Sequence, residues 1–263
     1  MRIHCLIENT TTQPELSAEH GLSLFIETGG IRILFDTGAS PAFAHNAERM
    51  GIDLRTVDMA VISHGHYDHG GGVARFLELN SRAPVWVNQH TFDPHFNITG
   101  KDIGLPPGLA EHPRILPVCD AVTHLAPGIS LHSSTVLPTT YPAENTGMTT
   151  LLENSRVPDD FRHEQYLLIE KSGQKILFSG CSHCGILNIA THFQADILIG
   201  GFHFMKLPPD TAPRHLEFIA NLLLSLPTRY YTGHCTGEMA YNILKSRMQD
   251  RIHPISTGSR LSL

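Results

Sequence analysis

Ser63-His64-Gly65-His66-Tyr67-Asp68-His69-Gly70-Gly71-Gly72 directly follows an apolar, β-branched run over residues 57–62 that predicts a strand. In extended or turn geometry His64 and His66 point to one side, while Asp68 and His69 enter the first turn of the next helix and face a second position. Four metal-competent side chains in so short a span suit two adjacent cations better than one. Three imidazoles and a carboxylate form a borderline donor set that favours zinc, with iron or manganese next. Gly70, Gly71 and Gly72 lack side chains and let the backbone fold tightly around such a site. The bland alternative is a histidine-rich surface turn that binds nothing.

Outward from this stretch, short β-branched runs alternate with amphipathic segments. Strands are expected at 2–8, 22–27, 31–35, 57–62, 84–87, 129–132, 166–170, 175–178, 197–199, 229–231 and 252–255, and helices at 41–50, 71–79, 186–191, 213–224 and 238–248. Gly29-Gly30 and Ser172-Gly173 read as hairpin turns, one in each half of the chain. Two mixed sheets with amphipathic helices pack most naturally sheet on sheet with the helices outside, a four-layer αββα sandwich of the α/β class. Residues 1–263 are expected to form a single domain with a proline-rich insertion at about 88–161, where nine of the 17 prolines fall. Such a segment is either a poorly ordered insertion or a lid over the substrate.

The Ser-His-Gly-His-Tyr-Asp-His stretch resembles the H-x-H-x-D-H signature of the metallo-β-lactamase superfamily. That resemblance implies an αββα sandwich with a one- or two-metal site at one edge of the sheets, and mostly hydrolytic chemistry. Ile33-Leu34-Phe35-Asp36-Thr37-Gly38 is similar to the family's early F-D-T-G element, whose aspartate buttresses the metal loop. The later ligands depart from the pattern. No Gly-His occurs between Gly70 and Gly180, and Leu177-Phe178-Ser179-Gly180-Cys181-Ser182-His183 carries Cys181 where the family's bridging aspartate stands. A thiolate can ligate zinc, and His183 can replace the absent imidazole. Tyr231-Thr232-Gly233-His234-Cys235-Thr236-Gly237 matches the final metal histidine at His234, with Cys235 expected as a small packed residue.

The resemblance therefore implies His64, His66 and His183 on a first metal and Asp68, His69 and His234 on a second, with Cys181 or a hydroxide bridging. Asp36 supports them from outside. Asp68 is a general base if a single metal is present, and His203, after Ile197-Leu198-Ile199-Gly200-Gly201-Phe202, is a substrate or acid–base residue, a ligand in reserve, or a satisfied core histidine. Asp36, His64, Cys181, His203 and His234 all follow strand candidates, where α/β sheets place their sites. The Ser-Gly-Cys-Ser-His, Gly-Gly-Phe-His and Gly-His-Cys-Thr-Gly stretches together resemble a subgroup. It contains archaeal enzymes joining a dihydropterin to a ribofuranosylaminobenzene phosphate, and bacterial members described as metal-dependent hydrolases.

Composition agrees without being decisive. Of 263 residues, 18 are histidine against 19 Lys plus Arg, which asks for a metal site; the twelve outside these motifs, including His4, His20, His45 and His253, default to surface or core. A net charge of −6 offers no basic footprint for nucleic acid or an acidic membrane. With no secretory leader pattern and an odd five cysteines, the chain reads as cytoplasmic. The C-x-x-C at Cys181 and Cys184 lacks the context of a redox dithiol. The leading reading is a hydrolase using a metal-activated water on a small-molecule ester, thioester, lactone or phosphoester, with one or two Zn2+, or else Mn2+, Fe2+ or Mg2+. The alternatives are a dihydropterin-type transferase releasing diphosphate, for which a hard cation fits better, and a non-catalytic metal- or ligand-binding module. The partner is a small-molecule substrate; the oligomeric state is left open.

Overall fold

The computed structural model describes residues 1–143 and 147–263. In chain order the strands are β1 (Arg2–Ile7), β2 (Ser23–Thr28), β3 (Ile31–Phe35), β4 (Met59–Val61), β5 (Val85–Asn88), β6 (His95–Phe96), β7 (Ile115–Val118), β8 (Val122–Ala126) and β9 (Ile129–Ser133). They continue with β10 (Thr149–Leu152), β11 (Ser155–Pro158), β12 (Gln165–Lys171), β13 (Gln174–Phe178), β14 (Ile197–Ile199), β15 (Arg229–Thr232), β16 (Ile252–Pro254) and β17 (Arg260–Ser262). The helices are α1 (Ala42–Arg49), α2 (Tyr67–Gly70), α3 (Val73–Leu79), α4 (Ile186–Phe193), α5 (Ala212–Ser225) and α6 (Glu238–Met248).

The chain forms two compact units that interleave in sequence. The first takes residues 1–119, 147–159 and 256–263, and the second takes residues 120–146 and 160–255. Each is an α/β unit with its own seven-stranded sheet.

In the first unit the sheet order is β17-β1-β2-β3-β4-β5-β7, antiparallel from β17 to β3 and parallel from β3 to β7. The hairpin between β2 and β3 turns at Gly29 and Gly30, both with positive φ as a two-residue turn requires. Helices α1 and α3 cover the sheet, burying Phe43, Val73 and Phe76 against Leu34, Ile62 and Val85. A small sheet, β11-β10-β6, completes this unit.

In the second unit the order is β16-β15-β14-β13-β12-β9-β8, parallel from β13 to β16. Ser172 and Gly173 turn the β12–β13 hairpin, again with positive φ. Along α5, Ala212, Leu216, Ile219, Ala220 and Leu223 recur at helical spacing and are buried with Tyr230, Leu244 and Ile252.

The proline-rich stretch differs from the expectation of a separate insertion: β6 to β11 all lie in it, β7 finishing the first sheet and β8 and β9 the second. Of these, β9 matches the strand expected at 129–132, and prolines obscure β7 and β11. Pro117 sits in β7 and Pro158 ends β11, each at the edge of its sheet, where a missing N–H costs no ladder bond. The helix expected at 71–79 is α3, which starts at Val73; the short α2 precedes it, with Gly71 and Gly72 at the joint. Among the described residues no helix is long and apolar enough to cross a membrane.

Candidate functional site

In the first unit the parallel pairing of β3 with β4 brings their carboxyl ends side by side, so Asp36 lands against the His-rich loop. Asp36 is fully buried. Its Oδ1 accepts the Ser63 N–H at 2.7 Å, and its Oδ2 accepts the Ser63 hydroxyl at 2.8 Å and lies 2.7 Å from Nδ1 of His69. This fixes His69 as the Nδ1–H tautomer, leaving the lone pair on Nε2. The Ser63 hydroxyl also lies 2.9 Å from Nδ1 of His64. Thr37 fastens the far end of the loop, its N–H donating to the His69 carbonyl at 2.7 Å. A Cβ on Gly71 would collide with the carbonyl oxygens of Ala39 and Tyr67, so the bare backbone is what lets the two loops close.

The three rings gather tightly: centroids are 4.6 Å apart for His64 and His66 and 4.1 Å for His64 and His69. Asp68 Oδ2 lies 3.9 Å from Nε2 of His69 and 3.3 Å from Nε2 of His20. All four motif residues are buried.

In the second unit Cys181, His203 and His234 follow β13, β14 and β15, three neighbouring parallel strands, and so share one edge. Donor atoms of Cys181, His234 and Cys235 lie within 4.8 Å of one another. Cys235, expected merely as packing, is buried but also accepts the His203 N–H at 3.3 Å. His183 stacks on Phe161 with centroids 4.5 Å apart and planes 12° off parallel, and its ring is 4.4 Å from that of His203. Glu164 pins the backbone of this loop, accepting the N–H groups of His183 at 2.8 Å and Cys184 at 3.0 Å and the Tyr166 hydroxyl at 2.6 Å. Burial pushes the Glu164 carboxyl up, against the pull of those hydrogen bonds. Burial, aided by the Glu164 charge, pushes the Cys184 thiol well up, the environment of a packed thiol rather than of a redox dithiol.

Asp36, Ser182, His203 and His234 all have φ between 49° and 59°. Left-handed backbone at non-glycine residues is uncommon and costs energy, and four of the ten such residues described fall just after strands beside the candidate ligands.

The donors suit a borderline divalent cation. The first unit offers imidazoles held by a buried carboxylate and a hydroxyl, together with Asp68; the second offers a thiol and imidazoles, donors softer than the all-oxygen sets Mg2+ prefers. His64, His66, Asp68 and His69 would hold metal in the first unit, and Cys181, His183 and His234 in the second. His20, His95, Asp159 and Glu164 also lie against these groups without any sequence signal to mark them. None has a local motif, and the partner of His95, Asp159, is 64 residues away.

Three comparisons bear on this geometry. The family model described as "Metallo-beta-lactamase superfamily" matches residues 17–149. A relative from Methanocaldococcus jannaschii, named 7,8-dihydropterin-6-methyl-4-(beta-D-ribofuranosyl)-aminobenzene-5'-phosphate synthase, is 26% identical over 92% of this chain and 89% of that protein. A crystal structure described as a metal-dependent hydrolase of the beta-lactamase superfamily is 28% identical, covers 100% of this chain and 99% of its own, and superposes with a TM-score of 0.85. Zn(2+)-bound PqqB from Methylobacterium extorquens shares the fold, at 11% identity over 100% of each chain and a TM-score of 0.60.

Proposed function

Because the chain belongs to the metallo-beta-lactamase superfamily, we propose that it is a metal-dependent hydrolase of a small-molecule ester, thioester, lactone or phosphoester, with zinc as its cation. The observation that carries this reading is the His-x-His-x-Asp-His loop locked by Asp36, which holds His69 2.7 Å away in the tautomer a ligand needs. The 28% identical hydrolase structure supports it.

A divalent cation supplies acidified water, lowering its pKa from about 15.7 to about 7, and a positive charge for the developing oxyanion. The rest is done by the chain. Asp36 and Ser63 keep the His64 and His69 rings from turning, so no reorganisation is required when charge develops. Glu164 and Phe161 do the same for the backbone and ring of His183. With a single metal bound, Asp68, whose side chain is 11% exposed, would be free of ligation and would take the proton of the attacking water. In the second unit His203, only half-buried, would serve as the acid that protonates the leaving oxygen as the ester C–O or P–O bond breaks. The test is turnover of ester, thioester, lactone and phosphodiester panels with and without chelator: a fully metallated protein silent on all of them overturns hydrolysis.

A second reading is favoured by the archaeal relative named as a synthase. In it a dihydropterin carrying a diphosphate loses that group as an aromatic amine attacks the carbon. Diphosphate release that depends on the amine distinguishes it from attack by water. We place the protein in the cytoplasm and expect neither a nucleic-acid nor a membrane partner, in keeping with its acidic charge.

A further inference from the structure

His95 opens β6 in the proline-rich stretch, with nothing in the local sequence to mark it. Its ring is 2% exposed, and its Nδ1 lies 3.0 Å from Oδ2 of Asp159, whose side chain is also 2% exposed. The small sheet positions the pair: His95 of β6 stands opposite Thr150 of β10, and Asp159 follows Pro158 of β11, which stands opposite Thr149 on the other side of β10. The Asp159 N–H, bonded to the Met148 carbonyl at 3.0 Å, holds the carboxylate in place.

The ring lies against the metal loop. Its centroid is 5.6 Å from that of His66, with planes at 77°, and a Cβ on Gly65 would stand 2.8 Å from its Nε2. Donor atoms of His66, His95 and Asp159 are all within 4.8 Å of one another. A carboxylate on Nδ1 fixes the tautomer that presents a lone pair on Nε2 and raises the basicity of that nitrogen. Asp36 does this for His69 in the same unit, at 2.7 Å. Mere filling of space does not account for the pair, since burying a carboxylate and an imidazole carries a desolvation cost that an apolar pair would avoid.

We propose that His95 is a metal-ligating side chain beside His66, with Asp159 as its orienting carboxylate. The inference rests on the metal-dependent reading above and adds an imidazole that no motif supplies.

The experiment measures zinc affinity by chelator competition and the visible cobalt(II) spectrum of the full-length protein. His95→Ala is expected to weaken zinc at least tenfold and to change the cobalt bands. Asp159→Asn is expected to weaken it by about tenfold, within the usual range for an orienting partner, with smaller spectral change. A His95→Ala protein with wild-type affinity and spectrum overturns the inference, and so does one that loses only apo-protein melting temperature. If His95→Ala does not fold, His95→Gln, which retains a donor for Asp159, is read by the same criteria. Wild-type protein that takes up neither metal overturns the metal-dependent reading itself, so the two failures are distinguishable.

Discussion

Asp36 shows how much a single residue carries. Its carboxylate serves two Ser63 donors and His69 from a fully buried position. Asp36→Ala leaves these groups unsatisfied, and each such loss costs about 1–3 kcal/mol. We expect the metal-free protein to lose roughly 3 kcal/mol in urea denaturation and zinc affinity to fall about 10- to 100-fold. Wild-type affinity in this variant would remove the bracing role. His132 gives a pH signature unrelated to metal. Burial, with the His192 and His124 charges, holds its imidazole below 6.5 against the opposite pull of Glu170. The unfolded chain therefore binds the proton more readily than the native state does, and stability is lost as pH falls below 6.5 toward the depressed native value. His132→Gln should flatten that part of the metal-free protein's stability profile; an unchanged slope would refute the assignment.

At the scale of elements, turns and joints separate folding from binding. Gly30 ends the β2–β3 turn at φ 85° with nothing near the position of a Cβ, so Gly30→Ala acts through the backbone alone. A loss of about 1–2 kcal/mol is expected, with zinc affinity unchanged. Gly71, between α2 and α3, is the opposite case. There a Cβ meets Ala39 and Tyr67 oxygens, so Gly71→Ala should weaken zinc binding along with stability. Equal effects of the two substitutions on affinity would contradict this division. The strands and hairpins with strong β-branched or Gly-Gly signals were legible in the sequence because their cues are local. β6, β8 and β10 carry no such cue, and β7 and β11 were not legible because Pro117 and Pro158 read as breaks until their edge positions are known.

At the scale of the whole molecule, each unit has its own sheet, helices and buried core, and the chain crosses between the units repeatedly before β17 returns to pair with β1. A cation bound to the native state alone stabilises it by mass action, about 2.7 kcal/mol at a hundredfold excess over Kd. Adding zinc to chelator-treated protein should therefore raise the melting temperature, and the increase should vanish in His64→Ala. A melting curve indifferent to zinc would count against a native metal site.

The sequence by itself determined the α/β class, the order of the major strands and the histidine loop with its aspartate brace. These depend on neighbours a few residues apart, or on strand-end motifs that stand out against composition. Only the tertiary structure showed which of the unmarked side chains matter. His95 and Asp159 meet because β6 and β11 flank the same strand, and Glu164 reaches the His183 loop because that loop turns back over it. Strand pairing brings together residues far apart in the chain, and burial then selects among them. The histidine count of 18 pointed to a metal; the fold decides which histidines can reach one.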